Sequence, residues 1–575
     1  MTAQIHKNIP DSAGLNAYAA DTALQDLTRL YLDDANYALA QPELDRMGRL
    51  VGDRLEELAL VADKNPPTLQ IRARNGADLE KIHKHPAYEE LERYAFGEFG
   101  LAAMSHRAGV FGAETKLPPM VKYARVYLFV QAEFGLCCPL SMTDSLTRTL
   151  VKFGSKDLID TYFNQLTSQD MDELFQGSMF MTEQVAGSDV GAIETIARQE
   201  NGEWKLYGDK WFCSNPDAAL GMVLARPEGG GDGTKGLSLF LLPRVLPDGR
   251  KNDYRILRLK EKMGTKSMAS GEIVMEGATA YIVGDPGQGF KQMTDMINMS
   301  RLANGVRSAG MMRRAVAEAV FISKNRTAFG KRLIDLPLMR RQLAKMLVTT
   351  EQGRSMVFHT AKVLQAADAG DADMAKVLRI LTPLIKFRTC RDARKVAGDG
   401  MEVRGGCGYI EEWSDARVLR DAHLGSIWEG TSNIVALDVA RATRREGALS
   451  HLSAYVTDLL DQAQAKGRSV TAVRLAFARA AARMEKVAND KQREGEVRAA
   501  ASAVYNATSA VVMLWEDANL SAQPGDRAAL AQAVLDHKLS PRDPLADEED
   551  ISPEMVALLN DARSGEGAEL LLAAQ

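Results

Sequence analysis

One acidic residue, Glu429, stands in a short segment whose composition suits catalysis. It follows an aromatic residue, Trp428, and precedes a small, hydroxyl-rich turn that starts at Gly430. The apolar residues after this turn recur at helical spacing, and Thr431 or Ser432 can cap the helix that they predict. Glu429 is therefore expected on a loop at the start of a helix, pointing away from the helix body. Such a carboxylate is either an ordinary surface residue or a general base held beside a bound substrate.

Three further turns could approach a ligand closely. The turn at Gly187 and Ser188 exposes backbone N–H groups and a hydroxyl, which suits a pyrophosphate or another anion. Phe212 lies two residues before Ser214, and an aromatic ring beside a hydroxyl can flank a flat heterocycle. The glycine-rich turn at 405–408 would let a backbone approach a ligand. Each also has a plain structural interpretation: an ordinary turn, a buried strand aromatic and an interhelical loop.

Several other chemistries leave signatures that this sequence lacks. It contains no GxGxxG after a strand, no Walker A motif, no HExxH, no GxSxG elbow and no zinc-ligand spacing, so no metal site is expected. The five cysteines include no CxxC pair, which is typical of a reducing compartment. The N-terminus has no apolar core of a signal peptide, and no run of about eighteen apolar residues occurs. We therefore expect a cytoplasmic protein that does not cross a membrane.

Hydrophobic periodicity predicts the elements that must position these residues. A chain of 575 residues is too long for a single hydrophobic core. Its content of 46% hydrophobic and 26% charged residues is ordinary for a soluble globular protein. Apolar residues at helical spacing predict an N-terminal helical domain over 1–175, and short apolar runs between turns predict a β domain over 176–287. Within it, the Asn-Gly pair at 201–202 predicts the type I′ turn of a hairpin. Helical spacing returns over 288–445, and an additional C-terminal helical domain is expected over 446–575.

The distribution of charge singles out two regions of the chain, whose formal net charge is −5. Residues 301–345 hold eleven Lys or Arg against two acids, which is either the solvated face of helices or the site of a small polyanion. The block 446–575 holds thirteen basic and twenty acidic residues. This disfavours DNA binding, because phosphate contacts need positive charge. Arg479, Arg483 and Lys486 nevertheless share one predicted helical face.

The turns described above belong to five motifs that together resemble one family, the flavin-dependent acyl-CoA dehydrogenases. In chain order they are Thr-Glu-x-x-x-Gly-Ser-Asp from Thr182, Gly-x-Lys-x-Phe-x-Ser-Asn from Gly208, Arg-x-x-Phe-Gly-Lys from Arg326, Gly-Gly-x-Gly-Tyr from Gly405, and aromatic-Glu-Gly-Thr from Trp428. Their order and spacing over about 120–445 are far more specific than any one motif. The longer N-terminal part and the extra C-terminal block resemble the AidB-like branch, which includes an alkylation-response flavoprotein with a DNA-binding C-terminal region.

The resemblance implies a fold of class α+β, mostly α. The implied parts are an N-terminal helical domain, a middle antiparallel β-barrel domain, a C-terminal four-helix bundle and an extra C-terminal helical block. FAD is the implied cofactor, contacted by Met181, Thr182, Gly187, Ser188, Phe212, Ser214, Arg326, Phe329, Glu402, Gly405, Gly406, Thr431 and Asn433. An acyl-CoA is the implied substrate, contacted by Ser188, Arg301 and Gly430. Glu402 departs from the pattern, since most relatives have Gln there.

The resemblance also implies a reaction in fatty acid metabolism. Glu429 would take the α-proton of the acyl-CoA thioester, flavin N5 would accept the β-hydrogen as hydride, and the product would be the trans-2-enoyl-CoA. A thioester α-hydrogen is a weak acid, so the base must lie within about 3 Å of it. FAD and CoA are polyanions, and they account for the positive segment without DNA. The implied partners are an electron-transferring flavoprotein as acceptor and other copies of the chain, in a homotetramer (dimer of dimers) or a homodimer.

Two alternatives to this function stay open. An AidB-type, DNA-associated alkylation-response flavoprotein would show weak or no dehydrogenase turnover, although the acidic C-terminal block disfavours DNA as a partner. Glu429 could also serve a different reaction on a CoA thioester, such as oxidase or elimination chemistry. For the acyl group, straight-chain, branched, aryl-propionyl and sulfur-containing propionyl thioesters are all compatible with the sequence.

Overall fold

The computed structural model describes residues 9–520, 526–541, 543, 545, 547 and 551–561, and it begins with a helical unit. The helices of this unit are α1 (Thr22–Tyr31), α2 (Asp34–Val51), α3 (Arg54–Lys64), α4 (Pro86–Glu92), α5 (Pro119–Ala132), α6 (Cys137–Phe153) and α7 (Lys156–Leu166). The sequence prediction lacks the antiparallel hairpin of β1 (Thr68–Arg72) and β2 (Asp78–His83). Its signal is the pair Asn75 and Gly76, since Gly76 has a φ of 88° in the turn.

Seven strands follow and form the middle unit. They are β3 (Gly177–Phe180), β4 (Ile196–Glu200), β5 (Glu203–Ser214), β6 (Leu220–Pro227), β7 (Ser238–Pro243), β8 (Tyr254–Leu259) and β9 (Ser270–Val283). The order β6-β4-β5-β9-β7 closes on itself because β7 also pairs with β6, which confirms the barrel. Most strand pairs of this unit are antiparallel, as predicted, but β3 and β4 each run parallel to β6. Five strands close this ring, and an odd number cannot alternate in direction all the way round, so the pair β4–β6 is parallel.

The predicted hairpin turn between β4 and β5 is confirmed. Asn201 has a φ of 52° and Gly202 a φ of 84°, the two positive values that a type I′ turn requires. Beyond the hairpin, β5 continues along β9 as far as Ser214, which pairs with Ser270. This long strand therefore carries Phe212 and Ser214 away from the turn to the far end of the barrel.

A bundle of long helices follows the barrel. Its elements are α8 (Gly289–Asn325), β10 (Thr327–Ala328), β11 (Lys331–Arg332), α9 (Pro337–Asp368), α10 (Ala372–Arg404), α11 (Gly406–Tyr409), α12 (Ser414–Leu424) and α13 (Ser432–Glu446). Helix α8 packs against α9 and α10, and both α12 and α13 pack on α10. Since α8 also packs against α5 and α6, one continuous apolar core joins the bundle to the N-terminal unit.

The last helices extend this core. They are α14 (Ala448–Ala465), α15 (Thr471–Asn489), α16 (Val497–Asn519), α17 (Asp526–Val534) and α18 (Pro553–Asp561). Helix α16 packs against α9, α10, α13 and α14. Within the described residues, the segment Lys491–Asn519 is long and apolar enough to cross a membrane, but 78% of its most apolar window is buried in the protein. That burial is typical of a core helix.

The positive charge over 301–345 is partly neutralised by the fold. At least five of its eleven cations form ion pairs with carboxylates: Arg301 with Asp438, Arg313 with Asp21, Arg314 with Glu56, and Arg332 and Arg340 with Asp335. Most of these partners lie far away in the chain, so the sequence alone could not reveal the pairing. The charge excess therefore carries less weight as a sign of a polyanion site.

Candidate active site

Glu429 lies on the loop between α12 and α13, as predicted, and its backbone is strained. Its φ is 56° and that of Gly430 is 97°, so two consecutive residues adopt left-handed conformations. A residue with a Cβ is disfavoured there by about 1–2 kcal/mol and persists only where the surroundings hold it. A Cβ on Gly430 would lie 3.1 Å from Val435 Cγ2, so the loop packs tightly on α13. The loop conformation thus sets the direction of the Glu429 side chain.

Two residues one turn apart on α8 bind the Glu429 carboxylate. Ser300 Oγ donates a hydrogen bond to Oε1, and Asn304 Nδ2 donates to Oε2 across 3.5 Å. Residues four apart face the same side of a helix, so α8 presents both donors together. Because a carboxylate offers about four acceptor positions, Glu429 can still accept a proton from a neighbouring carbon acid.

Two cationic side chains hold the backbone carbonyls of the same loop. Arg301 Nε donates to the Glu429 carbonyl at 3.4 Å, and Lys386 Nζ from α10 donates to the Gly430 carbonyl. Arg301 is itself fixed, because its Nη1 donates to Asp438 Oδ2 at 2.7 Å. The loop is therefore held by groups on α8, α10 and α13 at once, which explains how its left-handed residues persist.

The charges around the loop perturb one another. Burial lowers the pKa of Lys386 to about 8, with Glu429 opposing this shift and Arg301 and Arg307 adding to it. Burial alone would raise the pKa of Asp438, but its arginine partners hold it below the ordinary value. Lys386 is thus a cation that can lose its proton near neutral pH, directly beside the candidate base.

An aromatic pair and a buried arginine flank the base. Trp428, which precedes Glu429, stacks on Phe134 with ring centroids 6.0 Å apart. The Arg307 guanidinium lies 5.0 Å from the centre of the Trp428 ring and 5.7 Å from that of Phe134. These rings and the α8 side chains make a partly apolar wall with a buried positive charge inside it.

The structure brings Ser214 from the barrel toward this wall. Burial raises the pKa of the Cys138 thiol to about 11, and both Glu429 and the Ser214 side chain act on that thiol. Ser214 is also anchored, because Ser178 Oγ donates to its carbonyl at 2.8 Å. The predicted hydroxyl and the predicted base therefore approach the same cysteine at the start of α6.

The other residues predicted in the barrel lie at half-buried or exposed positions. Met181 and Thr182 follow β3, and the Thr182 carbonyl accepts a hydrogen bond of 2.8 Å from the N–H of the residue that precedes Phe212. Phe212 is 57% exposed, although it is a large apolar side chain. Gly187 and Ser188 are exposed, and a Cβ on Gly187 would meet nothing within 4 Å. An exposed ring, a hydroxyl and an open turn suit a flat heterocycle with a phosphate tail.

A second group of predicted residues lies at the end of α8 and the end of α10. Arg326 Nη1 donates to the Arg404 carbonyl at 3.3 Å, which joins the β10–β11 hairpin to the turn at 405–406. Phe329 at the hairpin tip has a φ of 52° and is 93% exposed. Glu402 is exposed beside the turn. The exposed Phe329 ring at the hairpin tip is accessible to another molecule.

Thr431 and Asn433 form the third group, at the start of α13. Arg498 Nη1 donates to Asn433 Oδ1 at 3.3 Å. Burial, together with neighbouring arginines that include Arg498 and Arg394, lowers the pKa of Arg391. Guanidinium groups crowded at a helix N-terminus are well suited to a phosphate or another anion. The residues present therefore fit a phosphate-bearing cofactor such as FAD.

Sequence reasoning missed Ser300, Asn304, Lys386 and Asp438. The spacing of four between Ser300 and Asn304 places them on one face of α8, next to the predicted Arg301, and is a usable signal. No local pattern marks Lys386 or Asp438, because they meet the loop only after folding. Arg301 was expected on the acyl-CoA side, and the structure shows it bound to Asp438 and to the Glu429 carbonyl. Its contact with a substrate stays a prediction.

Metal-binding clusters and cavities are the other kinds of possible site. In the part of the chain that the structure describes, no group of three or more His, Cys, Asp or Glu could hold a metal ion. A cavity of about 230 Å³ lies between the N-terminal segment and α8, lined among others by Ser12, Glu56 and Arg314. Its charged groups pair with one another, as Arg314 does with Glu56 at 2.9 Å, so we interpret it as structural.

Comparison with known families defines the class of this protein. The model of the acyl-CoA dehydrogenase middle domain matches residues 178–278, and that of the acyl-CoA dehydrogenase C-terminal domain matches 287–443. The model of the adaptive response protein AidB N-terminal domain matches 8–173. The chain therefore belongs to the acyl-CoA dehydrogenase family, in its AidB-like branch, and FAD is its cofactor.

Individual relatives agree with this assignment. Acyl-CoA dehydrogenase family member 11 of Caenorhabditis elegans is 31% identical over 84% of this chain and 80% of its own length. Putative acyl-CoA dehydrogenase AidB of Escherichia coli K12 is 35% identical over 71% of this chain and 73% of its own. The crystal structure of Caenorhabditis elegans ACDH-11 in complex with C11-CoA superimposes with a TM-score of 0.85, at 27% identity and 93% coverage of both chains.

Proposed function

We propose that this protein is an FAD-dependent acyl-CoA dehydrogenase that converts an acyl-CoA thioester into the trans-2-enoyl-CoA. The observation that carries the proposal is Glu429, a carboxylate held on a strained loop by two α8 donors at the position of the family's aromatic-Glu-Gly-Thr motif. The relative from Caenorhabditis elegans, whose structure contains C11-CoA, supports an acyl-CoA as the substrate.

Glu429 acts in this proposal as the general base. It removes the α-proton of the thioester, and Ser300 and Asn304 hold its carboxylate in one orientation during the transfer. A positioned base of this kind contributes about 10²–10⁴-fold to a rate. Backbone N–H groups, including that of Glu429, stabilise the enolate oxygen as its negative charge develops. Lys386 supports the base by donating a hydrogen bond to the carbonyl of Gly430, the residue that follows Glu429.

FAD, when bound, supplies the acceptor for the β-hydrogen and its electron pair. We propose that Met181, Thr182, Gly187, Ser188, Phe212 and Ser214 hold it, together with Thr431 and Asn433. The arginines around Asn433 would offset the charge of its pyrophosphate. Ser188, Arg301 and Gly430 are proposed to contact the substrate.

Partner molecules complete the proposal. The exposed Phe329 hairpin and the turn at Glu402, Gly405 and Gly406 would reach the FAD of a neighbouring subunit, in a homotetramer or a homodimer. An electron-transferring flavoprotein would reoxidise the cofactor. Both partners follow from family membership, and the 93% exposure of the Phe329 ring supports the first of them.

The alternative of a DNA-associated flavoprotein rests on one observation. Arg479, Arg483 and Lys486 all lie on the exposed face of α15. Arg483 lies 3.8 Å from Glu496, and the block as a whole is acidic, so this face offers little net charge for phosphates. A gel shift with duplex DNA at physiological salt tests the alternative, and retention of the DNA by the native protein would reverse our ranking.

The Glu429→Gln variant tests the proposed function. We expect it to bind FAD in a one-to-one ratio and to bleach the flavin about 10³-fold more slowly with acyl-CoA than the native protein does. Glu485→Gln, at an exposed position on α15, is the matched control and is expected to keep native activity. A Glu429→Gln protein with native turnover would disprove the assigned role of the base.

A further inference from the structure

The guanidinium of Arg307 has donors that the protein leaves unsatisfied. Its side chain is fully buried, with 0% exposure. Nε donates to the Ala303 carbonyl of its own helix at 3.2 Å. Nη1 and Nη2 have no hydrogen-bond partner among the described residues. An unpaired charge in a protein interior is strongly unfavourable, so this arrangement calls for an anion.

The neighbouring groups supply less negative charge than the buried cations require. Burial raises the pKa of the Cys137 and Cys138 thiols, so both are neutral near pH 7. Lys386 adds a second positive charge nearby. The Glu429 carboxylate, which accepts from Ser300 and Asn304, is a single negative charge beside the two positive charges of Arg307 and Lys386. The region beside the base therefore has an excess of positive charge that a negatively charged ligand would offset.

Other unpaired polar atoms lie around the same place. Trp428 Nε1 and Asn304 Oδ1 are also buried without a partner in the described structure. The Arg307 guanidinium lies 5.0 Å from the centre of the Trp428 ring, so the indole that carries this N–H is a direct neighbour of the guanidinium. Three such donors match an oxygen anion, and a planar guanidinium pairs with a carboxylate through two parallel hydrogen bonds.

Arg307 lies on the same face of α8 as the two residues that hold Glu429, about two helical turns further along. Ser300, Asn304 and Arg307 follow one another at spacings of four and three, so they share one helical face. At 1.5 Å per residue, Arg307 lies about 10 Å along the axis from Ser300. Since Ser300 and Asn304 bind Glu429, an acyl group whose α-carbon meets Glu429 can extend its far end toward Arg307.

We propose that Arg307 forms a carboxylate subsite at the far end of the acyl group, so that the substrate is a short ω-carboxyacyl-CoA. This inference rests on the proposed dehydrogenase function and names its substrate class. Arg307 would bind the free carboxylate, with the Trp428 N–H as an additional donor. A neutral acyl chain of the same length would leave the guanidinium unpaired and would bind less well.

Matched substrates test the subsite on the holoenzyme. Adipoyl-CoA and hexanoyl-CoA have the same chain length and differ in the terminal carboxylate. From flavin bleaching without oxygen, we expect kcat/KM to favour adipoyl-CoA by about 10- to 100-fold, as for a hydrogen bond to a charged group. Arg307→Met should lose this preference, and Arg307→Lys should keep part of it. Arg255→Met, at an exposed position on β8, is the control and should keep the native preference.

Measuring acyl-CoA binding in a variant without the base tests the carboxylate subsite independently of the dehydrogenase reaction. Calorimetric titration of the Glu429→Gln holoenzyme with both thioesters should show the same preference, and its loss in Glu429→Gln/Arg307→Met. Native protein that turns over hexanoyl-CoA as well as adipoyl-CoA overturns the subsite and leaves the dehydrogenase function intact. An Arg307-dependent binding preference without bleaching by any acyl-CoA supports the subsite and overturns the dehydrogenase function. If neither the binding preference nor flavin bleaching is observed, the subsite and the dehydrogenase function are both overturned. If Arg307→Met does not fold, the preference of the native protein decides the question alone.

Discussion

The Lys386→Met variant is expected to lose activity without losing stability. Lys386 Nζ donates to the carbonyl of Gly430, next to the strained Glu429. Methionine has a similar shape but no donor, so the buried carbonyl loses a charge-assisted hydrogen bond worth about 2 kcal/mol. If that restraint holds the base in its reactive orientation, its loss lowers kcat about 30-fold, since 1.4 kcal/mol corresponds to a factor of ten.

The free energy of unfolding should change much less. Burial lowers the Lys386 pKa from 10.5 to about 8, which corresponds to about 3 kcal/mol by which the fold disfavours the ammonium. Removing the charge stabilises the folded state by relieving this penalty. Losing the hydrogen bond destabilises it by about 2 kcal/mol. At pH 7 the two changes nearly cancel, so chemical denaturation should place the variant within about 1 kcal/mol of the native protein.

The pH dependence of kcat gives the sharper readout. The groups that face Lys386 are Cys390 on its own helix, Glu429 on the loop, and Arg301 and Arg307 on α8. Because the pKa is lowered to about 8, the ammonium is complete below that pH and is lost as the pH rises through it. A neutral amine donates more weakly, so native kcat should fall above pH 8. The fall should be absent from Lys386→Met.

Lys262 provides the control for this profile. Burial also lowers its pKa to about 8, but its Nζ donates to Met268 and Ser270 of the barrel. Lys262→Met should therefore keep the fall in kcat above pH 8. The reasoning is refuted if Lys386→Met keeps the native profile, or if its kcat falls only in proportion to a loss of folded protein.

Three other substitutions test the loop support, the packing of α8 and the exposed hairpin. Asp438→Asn removes the carboxylate shared by Arg301, Arg379 and Arg441, and we expect a loss of about 3 kcal/mol in unfolding free energy by denaturant titration. Arg301 and Arg379 lower the Asp438 pKa, so its contribution should be present above about pH 4 and should vanish as the pH falls. Gly310→Ala would place a Cβ 2.6 Å from the Tyr127 carbonyl of α5, which should destabilise the protein by about 1–3 kcal/mol. Phe329→Ala should reduce the bound FAD and the assembly size by light scattering, because its ring is 93% exposed.

Each of these variants has a control of the same chemical type. Asp458→Asn lies at an exposed position on α14 and should not change stability. A Cβ on Gly495 would meet nothing within 4 Å, so Gly495→Ala should stay within about 0.5 kcal/mol of the native protein. Leu475 is exposed on α15, and Leu475→Ala should retain FAD. Equal effects in variant and control would contradict the corresponding explanation.

Local sequence signals predicted the parts of the fold whose geometry is local. The Asn-Gly pair at 201–202 specified the hairpin of the barrel, because both residues tolerate positive φ. The same signal at Asn75 and Gly76 was sufficient for β1 and β2, and the prediction overlooked it. The parallel pairing of β4 with β6 could not be predicted in this way, because it depends on how the barrel closes.

The support of the candidate base depends on contacts between distant parts of the chain. The loop position of Glu429 followed from its neighbours, but its carboxylate meets Ser300, which lies 129 residues earlier. Lys386 reaches the Gly430 carbonyl only because α10 packs on α13. The positive segment 301–345 looked like an anion site because its carboxylate partners lie elsewhere in the sequence. Arg307 belongs to the same segment, but two of its buried guanidinium nitrogens have no partner in the described structure. It is therefore the arginine of this segment that points to an anionic ligand.

The rate of flavin reduction in Glu429→Gln tests the central claim most directly. Native holoenzyme is mixed without oxygen with adipoyl-CoA or hexanoyl-CoA, each with hydrogen or deuterium at the α-carbon. We predict a slower reduction with the α-deuterated substrate for the native protein, and a loss of about 10³-fold with either isotope for Glu429→Gln with FAD fully bound. Reduction by Glu429→Gln at the native rate and with the native isotope effect would show that another group takes the α-proton.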